Sequence, residues 1–209
     1  MSFILLLIIG LGTGLSGAMI PGPLFLFTVS EALKKDSAVG LRIALGHILI
    51  EVVFVACIFF GFKNLLSSQA FMGLVAKVGG VAMIVMGILL VKGAKDMHLI
   101  MDKKVDFDYG SLAGGAFFSI VSPGFLIWWT TIGLAVILQS LLFGLMGFMM
   151  VALGHWLADI GWHWFVSDFV HKGKVYLKDR QYHNTIRFLA LGLVATGIYF
   201  LMRNFGGNV

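Results

Sequence analysis

Charge is scarce and unevenly spread. Asp, Glu, Lys and Arg make up 12% of the 209 residues, and none of them occurs before Glu31. A soluble domain carries roughly 25% charged residues, so water is excluded as the main solvent of this chain. Cysteine is limited to Cys57. One thiol excludes an intrachain disulfide and leaves the redox compartment unreported, and within an apolar segment it reads as a small buried side chain. No basic residue precedes the apolar run that starts at Phe3 and continues past Phe27, so the first run is expected to be a span and not a cleaved signal peptide. The glycines follow no strand pattern, which leaves nucleotide-binding loops without support.

What the chain has is apolar length. Apolar, aromatic and Cys residues form 59% of it, in runs of about twenty, the length an α-helix needs to cross about 30 Å of hydrocarbon. Six spans are expected, over residues 3–30, 40–62, 70–91, 111–137, 140–166 and 186–202. The fold class is therefore an all-α polytopic membrane protein, a single transport domain over 1–209. The segments around Glu31 to Asp36, Lys92 to Tyr109 and Ser167 to Arg187 hold most of the charge, and none is long enough to form a soluble domain.

Lys and Arg concentrate in cytoplasmic loops. The loops after spans one, three and five carry Lys34, Lys35, Arg42, Lys92, Lys95, Lys103, Lys104, Lys172, Lys174, Lys178, Arg180 and Arg187, against Lys63, Lys77 and Arg203 on the other side. The expected location is the cell (plasma) membrane with both termini outside. This bias accounts for the net charge of +5, so no nucleic-acid partner is expected.

Landmarks recur in order. "ALGHILIE" from Ala44 returns as "ALGHWLAD" from Ala152; Pro21-Gly22 returns as Pro123-Gly124; "MGILLVK" from Met86 is matched by "TGIYFLM" from Thr196. Two halves, about 1–95 and about 110–205, each read as three helices. Three is odd, so the second copy crosses the membrane upside down: the six helices form two inverted three-helix repeats, the sequence sign of many secondary transporters with midplane sites at broken helices.

The breaks are expected in helices one and four. Pro21, Gly22 and Pro23 lie deep in the first run, where proline removes a backbone donor and clashes with the preceding turn. Lipid cannot satisfy the freed carbonyls, so such backbone must be buried in protein or line a wet cavity. Pro23 suits the first turn of a new half-helix, whose positive end favours a carboxylate. Ser122, Pro123 and Gly124 can do the same from the opposite direction; two kinked helices without a ligand are the plain alternative.

Residues four apart share a helix face. His47 therefore lies over Glu51, and His155, Asp159 and His163 form a stripe. Ionisable residues inside a span point to function by default. Glu51 and Asp159 can take a ligand ammonium or the coupling proton, or simply hold helices together; His47, His155 and His163 are possible coupling or ligand groups, and Gly46 and Gly154 beside two of them allow close packing. Trp128, ahead of Trp129, is the candidate pocket wall. Trp156, Trp162 and Trp164 read as interfacial or packing residues. Gly12, Gly14, Gly17, Gly79, Gly80, Gly114 and Gly115 read as close helix contacts. Asp168 and His171 are expected to be solvated at a helix end.

With the Pro-Gly-Pro of Pro21 to Pro23 in the first helix, Gly40, Arg42 and Gly46 entering the second, a polar loop after the third and a second landmark at Pro123, the chain resembles the LysE/RhtB family of amino-acid exporters over nearly its full length. The resemblance implies efflux of an amino acid or related small metabolite, driven by a proton or ion gradient, with no cofactor, no resident metal and no enzymatic step. Where members of that family often carry Asn-Pro-Lys at the second break, this chain has Ser122-Pro123-Gly124, so no particular substrate carries over. The histidines keep divalent-metal export as an alternative, since imidazole plus carboxylate suits transition metals. An intramembrane enzyme using the same carboxylates lacks a nucleophile or a His-Glu-x-x-His motif. The expected partners are a small-molecule substrate and the lipid bilayer; exposed small-residue faces permit a homodimer.

Overall fold

The computed structural model describes residues 2–20, 22–61, 65, 68–93, 109–176 and 179–202. Among them the regular structure is helical throughout: α1 (Phe3–Ala18), α2 (Pro23–Lys34), α3 (Val39–Phe59), α4 (Gln69–Gly93), α5 (Tyr109–Ile120), α6 (Pro123–Trp128), a π turn (Trp129–Gly133), α7 (Leu134–Leu141), α8 (Gly144–Gly173), a 3₁₀ turn (Lys174–Tyr176) and α9 (Asp179–Met202). Five helical stretches are long and apolar enough to cross a membrane, and α1 with α2 makes a sixth span bent by 81°. Large apolar side chains such as Leu45, Leu49, Val53, Leu138, Leu145 and Phe188 are exposed on the outer surface; in lipid that is the favourable arrangement, since the helices satisfy their own backbone groups.

Both broken spans occur where proline places them. Pro23 is the first residue of α2, with Gly22 as an extended N-cap that supplies no side-chain hydrogen bond. Pro123 is the first residue of α6, and Ser122 caps it by accepting from the Phe125 N–H. The structural counterpart of Pro123 is thus Pro23, although the dipeptides had paired Pro123 with Pro21. Pro21 itself lies outside the described residues.

The two halves exchange partners. α1 packs along α8, α3 packs along α5, and α4 packs along α9. Glycine makes each approach possible: a Cβ on Gly46 would meet Leu112 O and Ala116 N, while one on Gly154 would meet Leu7 O and Leu11 N. These are the same contact, shifted by 108 on one helix and 105 on the other. The third helices obey the same rule, with Gly80 against Gly197 and Gly87 against Ala190. Along α3 the order Ile43, Glu51, Phe54 runs from one apolar core to the other, and along α8 the order Val166, Asp159, Phe148 does likewise. The two helices therefore pass each other antiparallel, as an inverted pair must.

Several expectations need correction. α8 ends at Gly173 and α9 begins at Asp179, so most of the charged stretch from Ser167 to Arg187 is helical. Hydropathy marks lipid contact and misses polar turns beyond it, which here are supported by the Asp168–Lys172 pair at 2.7 Å and by His171 and Lys172 in the last turn. Glu31 to Lys34 likewise form the last turn of α2. Gly12 has open space where a Cβ would stand, unlike Gly14, Gly17, Gly79, Gly80, Gly114 and Gly115, each of which abuts another helix. His171 is part-buried and its Nδ1 donates to Lys35 O at 2.7 Å, so it ties α8 to the end of α2. Lys63, Lys95, Lys103, Lys104, Lys178 and Arg203 lie outside the described residues.

α2 is the element every half surrounds. Residues 27–33 are buried consecutively, because α8, α5, α9 and α3 all contact it. A helix wrapped on all sides cannot keep a purely lipid-facing stripe, and its polar residues are answered locally: Thr28 donates to Leu24 O at 2.9 Å. At its far end buried Glu31 meets Lys35 at 2.5 Å and Lys34 at 3.5 Å, Asp36 meets Arg42 at 2.7 Å, and Ser167 donates to Ser37 O at 2.7 Å. These pairs and this hydrogen bond tie the end of α2 to the turn that follows it and to α8.

Candidate functional site

Between the two apolar cores, at the start of α2, lies a cavity of about 70 Å³. It is lined by Gly22, Pro23, Ser122, Gly124, Trp128 and Trp129 from the two breaks, and by His47, Glu51, His155, Asp159 and His163 from α3 and α8. Every candidate except Pro123 and the undescribed Pro21 therefore lines one space. Pro123 is fully buried and serves as the first residue of α6 behind the lining.

The i,i+4 spacing does bring each His to its acid, and the crossing of α3 and α8 then joins the pairs. Glu51 Oε1 accepts from His155 Nε2 at 3.0 Å and lies 3.2 Å from His47 Nε2. Trp129, not Trp128, supplies the third contact to that oxygen, its Nε1–H donating at 3.3 Å. Trp128 donates instead to Ser16 at 3.4 Å and packs on the His155 ring with centroids 5.0 Å apart. Adjacent residues on an α-helix point about 100° apart. Here the π turn that begins at Trp129 widens the helix, and Gly133, whose absent Cβ would strike both indoles, lets the two rings face inward together. π turns of this kind are frequent at functional sites. Nothing in the residue pattern had announced it.

Hydrogen-bond accounting assigns the imidazole protons. Ser119 donates its hydroxyl to Gly115 O at 2.6 Å, so its oxygen accepts from His47 Nδ1 at 2.6 Å. His47 Nε2 then meets Glu51 Oε1 only if one further proton lies between them. Thr28 Oγ1, which donates to Leu24 O at 2.9 Å, also lies 3.0 Å from His163 Nδ1, while His163 Nε2 has no hydrogen-bond partner among the described residues. The equivalent of Ser119 beside His155 is Gly14, so the two repeated histidines sit in unlike surroundings: one held by a hydroxyl, the other by indoles.

Of the buried side-chain atoms without a hydrogen-bond partner among the described residues, three belong to residues that line the cavity: Glu51 Oε2, Asp159 Oδ2 and His163 Nε2. Each belongs to a side chain about 1% exposed. Asp159 Oδ2 is 3.5 Å from His155 Nε2, but that N–H is already directed at Glu51. Buried polar groups are normally paired, and three orphans beside one cavity mark a place for a ligand. His47, Glu51 and Asp159 also offer ligand atoms within 4.8 Å of one another, a spacing a cation can bridge.

The backbone contributes the opposite polarity. The first turn of a helix carries N–H groups without intrahelical partners; α2 has no side-chain cap at Gly22, and Leu24 and Phe25 of its first turn line the cavity. Around α6 the Phe125 N–H is taken by Ser122, whereas α2 has no side-chain cap. A Cβ on Gly22 would lie 3.9 Å from Ile20 O and one on Gly124 3.7 Å from Ser122 Oγ, ordinary van der Waals contacts that need no displacement.

The model of the LysE type translocator family matches residues 15–204. The chain belongs to that family. No curated protein and no solved structure matches it. As a LysE type translocator it moves small molecules across a membrane, and the matched region takes in both helix breaks and the five ionisable residues that line the cavity.

Proposed function

We propose that this translocator is a secondary active exporter of amino acids or related small metabolites, working by alternating access at the cavity between the two breaks. One observation carries the reading: a single small cavity presents an uncapped helix N-terminus and a pair of buried carboxylates, the complement of a zwitterion. The α2 amides favour the ligand's carboxylate; Glu51 and Asp159 favour its ammonium. At about 10–15 Å³ for each water-sized group, 70 Å³ admits about five to seven non-hydrogen atoms, the size of a small amino acid.

Coupling follows from the same atoms. His47 and Glu51 need an added proton to satisfy their contact, and an entering ammonium competes for the same carboxylates. Proton and substrate therefore favour different occupancies of one site, which supports antiport of a proton against the exported molecule. The distribution of basic residues supports a plasma-membrane exporter with the ion-paired end of α2 in the cytoplasm, the side toward which the cavity must open to load substrate. Rocking of the three-helix halves about the fixed site would open it.

The test is counterflow in proteoliposomes with a mixed panel of labelled amino acids, beside a divalent-metal panel, with and without a pH gradient. Saturable exchange of an amino acid, accelerated by the gradient, is the expected result. The cluster of His47, Glu51 and Asp159 specifically favours a second reading, divalent-metal export; metal flux without amino-acid flux would establish that reading and sink the first.

A further inference from the structure

A second cavity, of about 260 Å³, is separated from the first by three rings. Trp128, Trp129 and His155 line both spaces, and their ring centroids are 5.2, 5.0 and 5.3 Å apart, each packed on the other two. The hydrogen-bonding edges of these rings are committed: Trp129 Nε1 and His155 Nε2 donate to Glu51 Oε1, and Trp128 Nε1 donates to Ser16. The carbocyclic edges of both indoles meet Gly133, where a Cβ would come within 2.6 Å of Trp129 Cε3 and 3.0 Å of Trp128 Cζ3. Gly133 lines the second cavity and not the first. The partition thus turns hydrogen bonds toward Glu51 and hydrocarbon toward the second space.

The rest of that wall is mostly carbon. Val52, Val55, Ala56 and Phe59 of α3 face Val136 and Ile137 of α7 across it, and Ser140 spends its hydroxyl on Ile137 O at 2.8 Å. No Asp, Glu, Lys or Arg lines it. A water needs two to four polar partners, and an apolar cavity of about 150 Å³ stays dry and takes up benzene instead. The wall also reaches the outer surface. Val52 is 45% exposed and continues the lipid-facing stripe of Leu45 and Leu49, while Ala152 of α8 follows exposed Met149 by three residues. The medium beyond these side chains is hydrocarbon, and a void left open beside it forfeits dispersion contacts along its lining.

We propose that the second cavity is a lateral binding site for an acyl chain of a bilayer lipid, whose inserted end supports the ring partition from behind. Continuity identifies the occupant: the cavity wall runs on into the surface that the bilayer covers, and that wall holds no charge to recruit a polar ligand. The chain fills the space into which the indoles would otherwise swing, and so steadies the N–H groups that they direct at Glu51 and Ser16. This site goes beyond the transport reading and is independent of which substrate the first cavity takes.

The experiment is quenching of tryptophan emission by brominated lipid. Replacing Trp156, Trp162 and Trp164 by Phe leaves Trp128 and Trp129 as the only indoles of the full chain, and both are buried. Bromine quenches at short range, so vesicles of phosphatidylcholine brominated in the distal half of its acyl chains are expected to lower the emission at least twofold against unbrominated vesicles. Ala56→Leu and Ala152→Leu, which fill the cavity from opposite walls, are expected to restore at least half of the loss, and aqueous acrylamide to have little effect. Absence of quenching by the brominated lipid would overturn the proposal, as would quenching that neither filling variant reduces. Stronger quenching by acrylamide would make the cavity a wet vestibule, and relief of the lipid quenching by saturating leucine would give it to a substrate side chain; either result also overturns the proposal. Val52→Ala, which widens the mouth, keeps the test decisive where a filling variant fails to fold: it should deepen the quenching, and an unchanged signal would count against an inserted chain.

Discussion

His155 Nε2 donates to Glu51 Oε1 at 3.0 Å across 104 residues of chain, one of several bonds that link the two halves at the centre of the protein. The same oxygen lies 3.2 Å from His47 Nε2 and accepts from Trp129 at 3.3 Å. Removing one partner of a buried charged pair leaves the rest uncompensated, typically at about 3–5 kcal/mol. Glu51→Ala should therefore lower the thermal midpoint sharply and abolish transport, whereas Glu51→Gln, which keeps an acceptor oxygen, should lose transport with a smaller change in stability. Differential scanning fluorimetry beside counterflow separates the two effects; equal thermal midpoints for both variants and wild type would refute the bridging role.

Asp159 differs in having Oδ2 unpartnered by any hydrogen bond among the described residues. No cross-half bond depends on that oxygen, so Asp159→Asn should fold with a near-native thermal midpoint and yet lose at least tenfold in transport. Normal flux through this variant would exclude Asp159 from the mechanism.

Gly46 and Gly154 make equivalent contacts, each against backbone of the other half's first helix. Nothing at these points is the flexible end of a side chain, so an added side chain has to push helices apart. Gly46→Leu and Gly154→Leu should destabilise to similar extents, by about 1–3 kcal/mol or more, measured as matched falls in thermal midpoint. Gly12→Leu, where a Cβ meets nothing within 4 Å, is the control and should be close to neutral.

These predictions also show how much the residues had already disclosed. The pairing of His47 with Glu51 and of His155 with Asp159 followed from helical spacing alone, and proline marked both breaks because its missing N–H acts locally. What stayed hidden was long-range or set by register. The counterpart of Pro123 was misjudged because the first break holds two prolines and the dipeptide match favoured Pro21, although Pro23, already suited to the first turn of a half-helix, is the one that starts α2 as Pro123 starts α6. Trp129 was ranked below Trp128 because the π turn that brings both rings inward has no signature in the residue pattern. The contact of His163 Nδ1 with Thr28, 135 residues away, is a relation no local spacing encodes. The polar turns at the end of α8 and the start of α9 were read as loop because hydropathy reports lipid contact, while helix extends into water wherever caps and ion pairs support it.

Gly22 and Gly124 border the cavity without touching other protein atoms closely. Their extended or helical backbone does not demand glycine, and what a larger side chain at either would fill is the cavity space. Gly22→Val and Gly124→Val should fold normally and raise the half-saturating substrate concentration at least tenfold by filling that space. Unchanged saturation curves in both would move the binding site elsewhere.

The last prediction concerns where the proton resides. Ser119 commits His47 Nδ1 to donation because its own hydroxyl is spent on Gly115 O, and only for that reason does the His47–Glu51 contact need an extra proton. In Ser119→Ala the constraint disappears: a neutral His47 can carry its proton on Nε2, satisfy Glu51 and leave Nδ1 bare. The extra proton then gains no stabilisation from the pair, and a pH gradient has less to act on. Ser119→Ala should retain amino-acid counterflow at equal pH on both sides while losing most of the acceleration that a gradient gives the wild type. The measurement is the ratio of gradient-driven flux to equal-pH counterflow in the same proteoliposomes. An unchanged ratio would show that the proton is carried elsewhere, whereas a collapsed ratio with preserved exchange would locate coupling at the His47–Glu51 contact.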